Sequence, residues 1–364
     1  MSVRQDILKA AHAGMPERVP WTVYHQLLPR GETERILRSQ GLGIVYGNQP
    51  SVLAYSIEQP NVEVCQKPVQ VKDGSALRMT YRTPVGELTD LRSTGYASGM
   101  AGFHSDWRLE FMVKRPADYD ILEFMIRDQV IRPAYGGVRQ AKEEIGEDGV
   151  VFSCLKRVPF QRLWAECTGI ERLTYDLHDN PEPVKRVMDA MLEKDREMWK
   201  IVAASDVDLV QQPETLTYHI VGPKLFERYF LPVYEELGKV IDFGKKPCFI
   251  HMDGFGRSLL EAVKKLPKGM IVEAFTPPPM GNCSLAEARS AWGDLPIWIN
   301  FPSPVFLSST EEIESVAKEI LRQAAPGNAF IFGITENFPS DRWQAGMQAI
   351  GRVLERYGSC PIRI

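Results

Sequence analysis

From about residue 147 onward, short apolar runs alternate with longer stretches whose apolar positions recur at helical spacing. The runs "GVVFSCL", "VDLVQQ", "CFIHM", "MIVEAF", "PIWIN" and "AFIFGI" are rich in Val, Ile and Phe and apolar on successive residues. Strands covered on both faces by helices have this signature. The longest helical pattern opens at Asn180-Pro181, an N-cap residue followed by proline at the first helical position. It carries Val184, Val187, Met188, Met191, Met198 and Ile201 along one stripe. A second helix is predicted in "SSTEEIESVAKEIL", where Ser309 and Glu312 stand at capping-box spacing.

These six βα units, with "VPWTVY" at residues 19–24 as an earlier strand, nearly fill the count of an eight-stranded (βα)8 barrel. A doubly wound sheet would place a glycine-rich phosphate turn near its first strand, and none is present. The predicted fold is therefore α/β, a TIM barrel in one domain spanning residues 1–364. Such a barrel takes roughly 250 residues, so the region from about 30 to 145 is expected to be an insertion between the first two strands. Within it, "LRMTYRTPVGELTDLR" alternates as a hairpin with Pro84, Val85 and Gly86 at its bend. No internal repeat, low-complexity tract or flexible linker interrupts the chain.

Composition narrows the function classes. Of 364 residues, 44% are hydrophobic and 25% charged, and the formal net charge is -4, which argues against a polyanion binder and so against nucleic acid as a partner. No apolar run is long enough to span a bilayer, and the first twenty residues lack the apolar core of a signal peptide. A cytoplasmic location with no membrane partner is the expectation. The six cysteines are scattered without a CxxC pair, so neither a disulfide framework nor a zinc ribbon is indicated.

In a βα barrel the reacting groups come from the C-terminal ends of the strands. Those ends here supply Glu214, Tyr218 and His219 after "VDLVQQ", His251 and Asp253 in "CFIHMDG", Glu273 in "MIVEAF", Asn300 in "PIWIN", and Glu336 and Asn337 after "AFIFGI". Period-two alternation would put residues 251 and 253 on one side of an extended strand. Carboxylates converging there would repel, each pair by about 4 kcal/mol at ~4 Å with an effective dielectric near 20. Protonation, an arginine or a divalent cation could offset this, and a His with carboxylates suits zinc with one position open.

The plainer readings carry equal weight on pattern alone. His251 could be a hydrogen bonder, His219 a hinge residue, and Glu273 a helix cap or the partner of Arg257. Cys248 and Cys283 read as packing, and His12, His104 and His178 lack converging partners in sequence. "GFGRSLLEA" after Asp253 lacks the full GxGxxG pattern and follows an acidic residue that would repel phosphate.

In order, "PERVPW", "TPVGEL", "AECTGIERLTYDLHDNPEPVKRVMDAM", "VGPKLFERYFLPVYEEL", "FIHMDG" and "PPPMGNCSLAEARSAWGDLPIWIN" resemble the uroporphyrinogen decarboxylase superfamily over most of the chain. That superfamily is a βα barrel. Its decarboxylases carry an arginine-bearing stretch shortly after the first strand, where this sequence reads "TVYHQLLPRGETER". The resemblance therefore points to its other branch, zinc-dependent methyltransferases that include corrinoid-linked enzymes. There the metal is held by a His-x-Cys, in some members a Glu on the next strand, and a Cys near the last strand. The matching positions here are His251-x-Asp253, Glu273 and Glu336, with both thiolates replaced by carboxylates.

An oxygen-rich site suits an oxygen leaving group better than a thiol acceptor. The resemblance thus implies an O-demethylase-like methyltransferase moving a methyl group from a small donor, a methoxylated aromatic, to a corrinoid protein. Zinc or another divalent metal on His251, Asp253, Glu273 and Glu336 would polarise the ether oxygen. Glu214, Tyr218 or His219 would supply a proton or orient the ring, and Tyr24, His25, Trp164, Asn300 and Phe301 would line the substrate slot. The cobalamin motif DxHxxG is absent from the sequence, so the corrinoid would belong to the partner. A homodimer is compatible with the family. Two rivals stay open: a decarboxylase of another acidic substrate, and a non-catalytic ligand-binding member.

Overall fold

The computed structural model describes residues 1–47, 49–72, 74–93, 107–217 and 219–364. Eight parallel strands close a barrel: β1 (Trp21–Tyr24), β2 (Leu42–Tyr46), β3 (Gly149–Cys154), β4 (Leu209–Gln212), β5 (Cys248–His251), β6 (Met270–Phe275), β7 (Ile297–Asn300) and β8 (Phe330–Ile334). β1 closes the ring by pairing with both β2 and β8, Trp21 standing opposite Leu42 on one side and Phe332 on the other. The (βα)8 barrel predicted from the runs is the observed fold.

The second strand had not been expected. "LGIVY" at Leu42–Tyr46 lies inside the stretch read as an insertion, so the connection between β1 and β2 is only a 3-10 turn, His25–Leu27, and one short α-helix, Glu32–Ser39. The elaboration instead separates β2 from β3. It contains an antiparallel sheet of Glu63–Val71, Gly74–Thr83, Gly86–Ser93 and Arg108–Glu110, and a strand pair of Tyr55–Glu58 with Val130–Pro133. The predicted hairpin forms with Thr83 opposite Gly86, the glycine at φ 145° where a side chain would be strained. Asp90, fully buried in this sheet, accepts hydrogen bonds from Arg92, Arg108 and Tyr81, which satisfies its charge.

Strand alternation fills the barrel in layers. Phe152, Phe249 and Trp298 pack at 5.1 and 5.4 Å between ring centroids, and the Trp298 indole donates to Thr22 Oγ1 at 2.9 Å. Two residues further along the same strands stand Cys154, His251, Asn300 and Tyr24, so the polar layer rests on a close-packed aromatic floor. Outside the barrel, the long helix Pro181–Ala203 buries Val184, Val187, Met191 and Met198, as its stripe predicts. Asn180 holds its N-cap position without a side-chain bond, whereas Ser309 accepts from the Glu312 N–H. No helix of the described residues is long and apolar enough to cross a membrane.

Candidate active site at the barrel mouth

His251 ends β5, and its register partner on β6 is Glu273. Imidazole Nδ1 lies 2.9 Å from Glu273 Oε2, and Nε2 lies 3.2 Å from Glu336 Oε1, which follows β8. Three strand ends thus meet at one ring, as the strand-end rule anticipated. The Glu273 side chain is fully buried, while that of Glu336 is 31% exposed. With a carboxylate oxygen facing each nitrogen, each ring N–H has an acceptor, an arrangement that favours the doubly protonated ring. Burial opposes that charge, but the two carboxylates outweigh it and hold the His251 pKa well above its ordinary value. Burial raises the Glu273 pKa, with His251 pulling the other way.

A β-bulge aims Glu273. Between Val272 and Phe275 the β6 register shifts against β7, and Ala274 is held at φ 57°. Left-handed backbone in a non-glycine residue costs about 1–2 kcal/mol, and bulges of this kind re-aim side chains beside active sites. Glu273 Oε1 and the Tyr24 hydroxyl are both buried without a hydrogen-bond partner of ordinary geometry among the described residues. Burial, then the neighbouring Glu273 charge, raises the Tyr24 pKa.

Asp253 lies apart from this cluster. β5 ends at His251 and Gly254 turns the chain at φ 77°, so strand alternation does not extend to residue 253. Asp253 instead lines, with Glu336, a cavity of about 680 Å³ at the mouth, whose walls include Thr276, Met280, Pro304, Leu307 and Phe338. Its Oδ1 is buried and lacks a partner among the described residues. Arg257 pairs with Glu287 at 2.8 Å, which removes it as the partner of Glu273.

The remaining predicted residues fall outside the cluster. Glu214 is 1% exposed; its Oε1 accepts from the Val158 N–H at 3.1 Å and the Gln212 amide at 2.8 Å, bracing the segments after β3 and β4. Burial pushes its carboxyl up to about 7. In this arrangement the carboxylate, read from the sequence as a candidate proton donor, is engaged in hydrogen bonds within the protein. His219 is exposed with its ring 5.2 Å from that of Phe255, and Tyr218 and His104 lie outside the described residues.

Of the expected substrate contacts, Tyr24 borders the cluster, but the others do not form a slot. His25 sits at the rim, its ring 4.1 Å from Tyr46 and its Nε2 3.0 Å from Arg30. Trp164 is half-buried in a π-helical turn, Leu163–Thr168. Phe301 is completely buried against Phe306 and Phe332 and has no surface to offer a ligand. Asn300 is also fully buried, and its Oδ1 accepts from the N–H groups of Thr335 and Glu336 at 3.0 and 3.2 Å. Asn337, expected from its place after β8, lines the same cavity, whereas Thr276 and Asp341 were not anticipated; their only signal is position in the segments that follow barrel strands.

The donor chemistry suits a divalent cation: one imidazole, three carboxylates, and buried unpartnered oxygens on Glu273 and Asp253. Among the described residues, no three His, Cys, Asp or Glu side chains already stand in a coordinating group. Glu273 behind Nδ1 has the place of the carboxylate that orients a metal-binding histidine. Two donors about 2.1 Å from one ion lie roughly 3.4 Å apart at tetrahedral angles, so the 3.2 Å between Nε2 and Glu336 Oε1 would need to open by only about 0.2 Å.

Sequence comparison places this barrel. The uroporphyrinogen decarboxylase (URO-D) family pattern matches residues 113–350, well over half the chain. The chain belongs to that family. No curated protein matches it in sequence. Among solved structures it is similar to a methyltransferase from Methanosarcina mazei, with a TM-score of 0.59 at 9% identity over 98% of this chain and 99% of that one. A thermostable mutant of the xylanase Xyn10A from Cellvibrio japonicus aligns with a TM-score of 0.36 at 12% identity, over 62% of this chain and 84% of the other. At such identity the first likeness establishes the fold.

Proposed function

We propose that this family member is a methyltransferase that takes a methyl group from a small methoxylated aromatic and passes it to a reduced corrinoid on a separate protein. The observation that carries the reading is the charge of the mouth. Glu273 and Glu336 flank His251, Asp253 lies in the adjoining cavity, and no arginine or lysine pairs with these three among the described residues. A decarboxylase of a polycarboxylate would need guanidinium groups there, because carboxylates would repel its substrate. The methyltransferase name of the Methanosarcina mazei structure adds support from the shared barrel.

The cavity suits an aryl ether, with Met280, Pro304, Leu307 and Phe338 for a ring and the Glu336 and Asp253 carboxylates on the side where a cation would face its oxygen. His251 and Glu336 would hold a divalent ion, Asp253 would add a third donor, and Glu273 would orient the imidazole. When bound, that ion supplies Lewis acidity at the ether oxygen, where phenolate charge develops. The protein's own groups act beside it. Glu273 holds His251 Nδ1 from below, and Glu336, the exposed member of the pair, presents the cluster to the cavity. In the transfer the methyl carbon leaves oxygen for the corrinoid's cobalt(I), whose electron pair forms the new bond, and the aryl oxygen departs with the old bond's pair and takes up its proton from solvent.

The test is formation of methylcobalamin from cob(I)alamin or a reduced corrinoid protein, with a panel of methoxyarenes and added zinc. Growth of the methylcobalamin spectrum with at least one donor is expected. No transfer from any donor, with the barrel folded and metal supplied, would overturn the assignment.

A further inference from the structure

We infer that Asn300 is a positioning residue that sets the separation of Glu273 and Glu336, and so the gap the His251 ring fills. A buried polar chain crosses three neighbouring strands. From the β8 side, the Thr335 and Glu336 N–H groups donate to Asn300 Oδ1 at 3.0 and 3.2 Å. Asn300 Nδ2 donates to Thr276 Oγ1 at 3.3 Å, and the Thr276 hydroxyl donates to the Ala274 carbonyl at 2.9 Å. Ala274 is the left-handed residue of the bulge that aims Glu273. The chain therefore begins at the backbone of one carboxylate and ends beside the other.

Its physical weight comes from burial. Asn300 is fully buried, Thr335 is 2% exposed and Thr276 3%. In such surroundings each amide N–H must find a partner or lose its hydration uncompensated. Glu336 follows the end of β8, where no ladder bond remains to fix it, so the bonds to Asn300 take over that role. An asparagine is suited to it: one oxygen accepts two N–H groups while the nitrogen donates onward. Neither leucine nor aspartate can do both. The amide is thus spent within the protein and is not offered to a substrate.

The inference concerns the geometry of the proposed centre but stands apart from the reaction assigned to it, and its test needs no donor, metal or corrinoid. Proton and nitrogen NMR of His251, labelled in the full-length metal-free protein, reports the hydrogen bond at each ring nitrogen separately. In Asn300→Ala the low-field Nε2–H signal should broaden or vanish while the Nδ1–H signal to Glu273 persists. Thr276→Val, nearly isosteric, should weaken the same signal to a smaller degree and guards against a fold defect in the first variant. Asn300→Asp, which keeps the acceptor for Thr335 and Glu336, should restore Nε2–H toward wild type. Unchanged Nε2–H and Nδ1–H signals in folded Asn300→Ala, or in Thr276→Val should the alanine variant fail to fold, would overturn the inference. Equal loss of both signals in the folded variants would overturn it too, because it would show general loosening.

Discussion

His251 and Glu273 stand opposite each other as register partners on adjacent barrel strands, and their side chains meet at 2.9 Å without help from a loop. The pair is therefore preset by the sheet, and the third member, Glu336, is brought to it from β8. A carboxylate behind a metal-binding imidazole fixes its tautomer and raises its basicity. Glu273→Gln is expected to lower zinc affinity about 10–100-fold, read by competition with a chromophoric chelator, while the circular dichroism spectrum stays that of the wild type.

Glu214 gives a pH dependence of known sign. Its carboxyl is pushed up to about 7 by burial, against a reference value of 4.5. Between those values the folded protein binds more protons than the unfolded chain, so stability from this group is complete below about pH 4.5 and declines as pH rises through 7. The decline should amount to about 3 kcal/mol at most. Urea unfolding of wild type and Glu214→Gln from pH 4 to 9 should show the wild type losing stability relative to the variant across that window and running parallel above it.

Phe301 belongs to the core. Its ring lies 5.5 Å from Phe306 and 5.8 Å from Phe332, centroid to centroid. Phe301→Ala should reduce the unfolding free energy by about 3–5 kcal/mol, with metal affinity unchanged while the protein remains folded. Denaturant titration with a parallel zinc titration separates this from a role in ligand binding.

Much of the barrel is legible in the sequence because strands covered on both faces are rich in successive apolar residues, and seven of the eight stand out as such runs. Leu42–Tyr46 shows the same pattern, following a helix by only Gln40 and Gly41, but it adjoins a polar antiparallel sheet that disguises it. The meeting of His251, Glu273 and Glu336 is also legible, since strand ends must face the mouth. Alternation would even have placed Phe301 on the side opposite Asn300. Burial of Glu214 and the bonding of Asn300 were not legible, because both depend on backbone groups from loops distant in sequence. Asp253 departs from alternation because its strand has already ended.

The bulge at Ala274 makes a further test of how the site is aimed. Ala274→Gly should retain or raise stability by up to about 1 kcal/mol, since the left-handed conformation suits glycine. Ala274→Val, with a β-branched residue at φ 57°, should lose about 1–3 kcal/mol and weaken zinc binding as Glu273 swings away. Urea unfolding and chelator competition on both variants check the pair of outcomes.

The most direct measurement is the rate of methyl transfer from the best methoxyarene to reduced corrinoid protein in wild type, His251→Ala and Asp253→Ala, with all three shown to be folded. Loss of the imidazole removes the group that Glu273 and Glu336 share, and a rate at least about 100-fold lower is expected for His251→Ala, with a smaller deficit for Asp253→Ala. Full activity in both variants would contradict the assignment of this mouth as the catalytic centre.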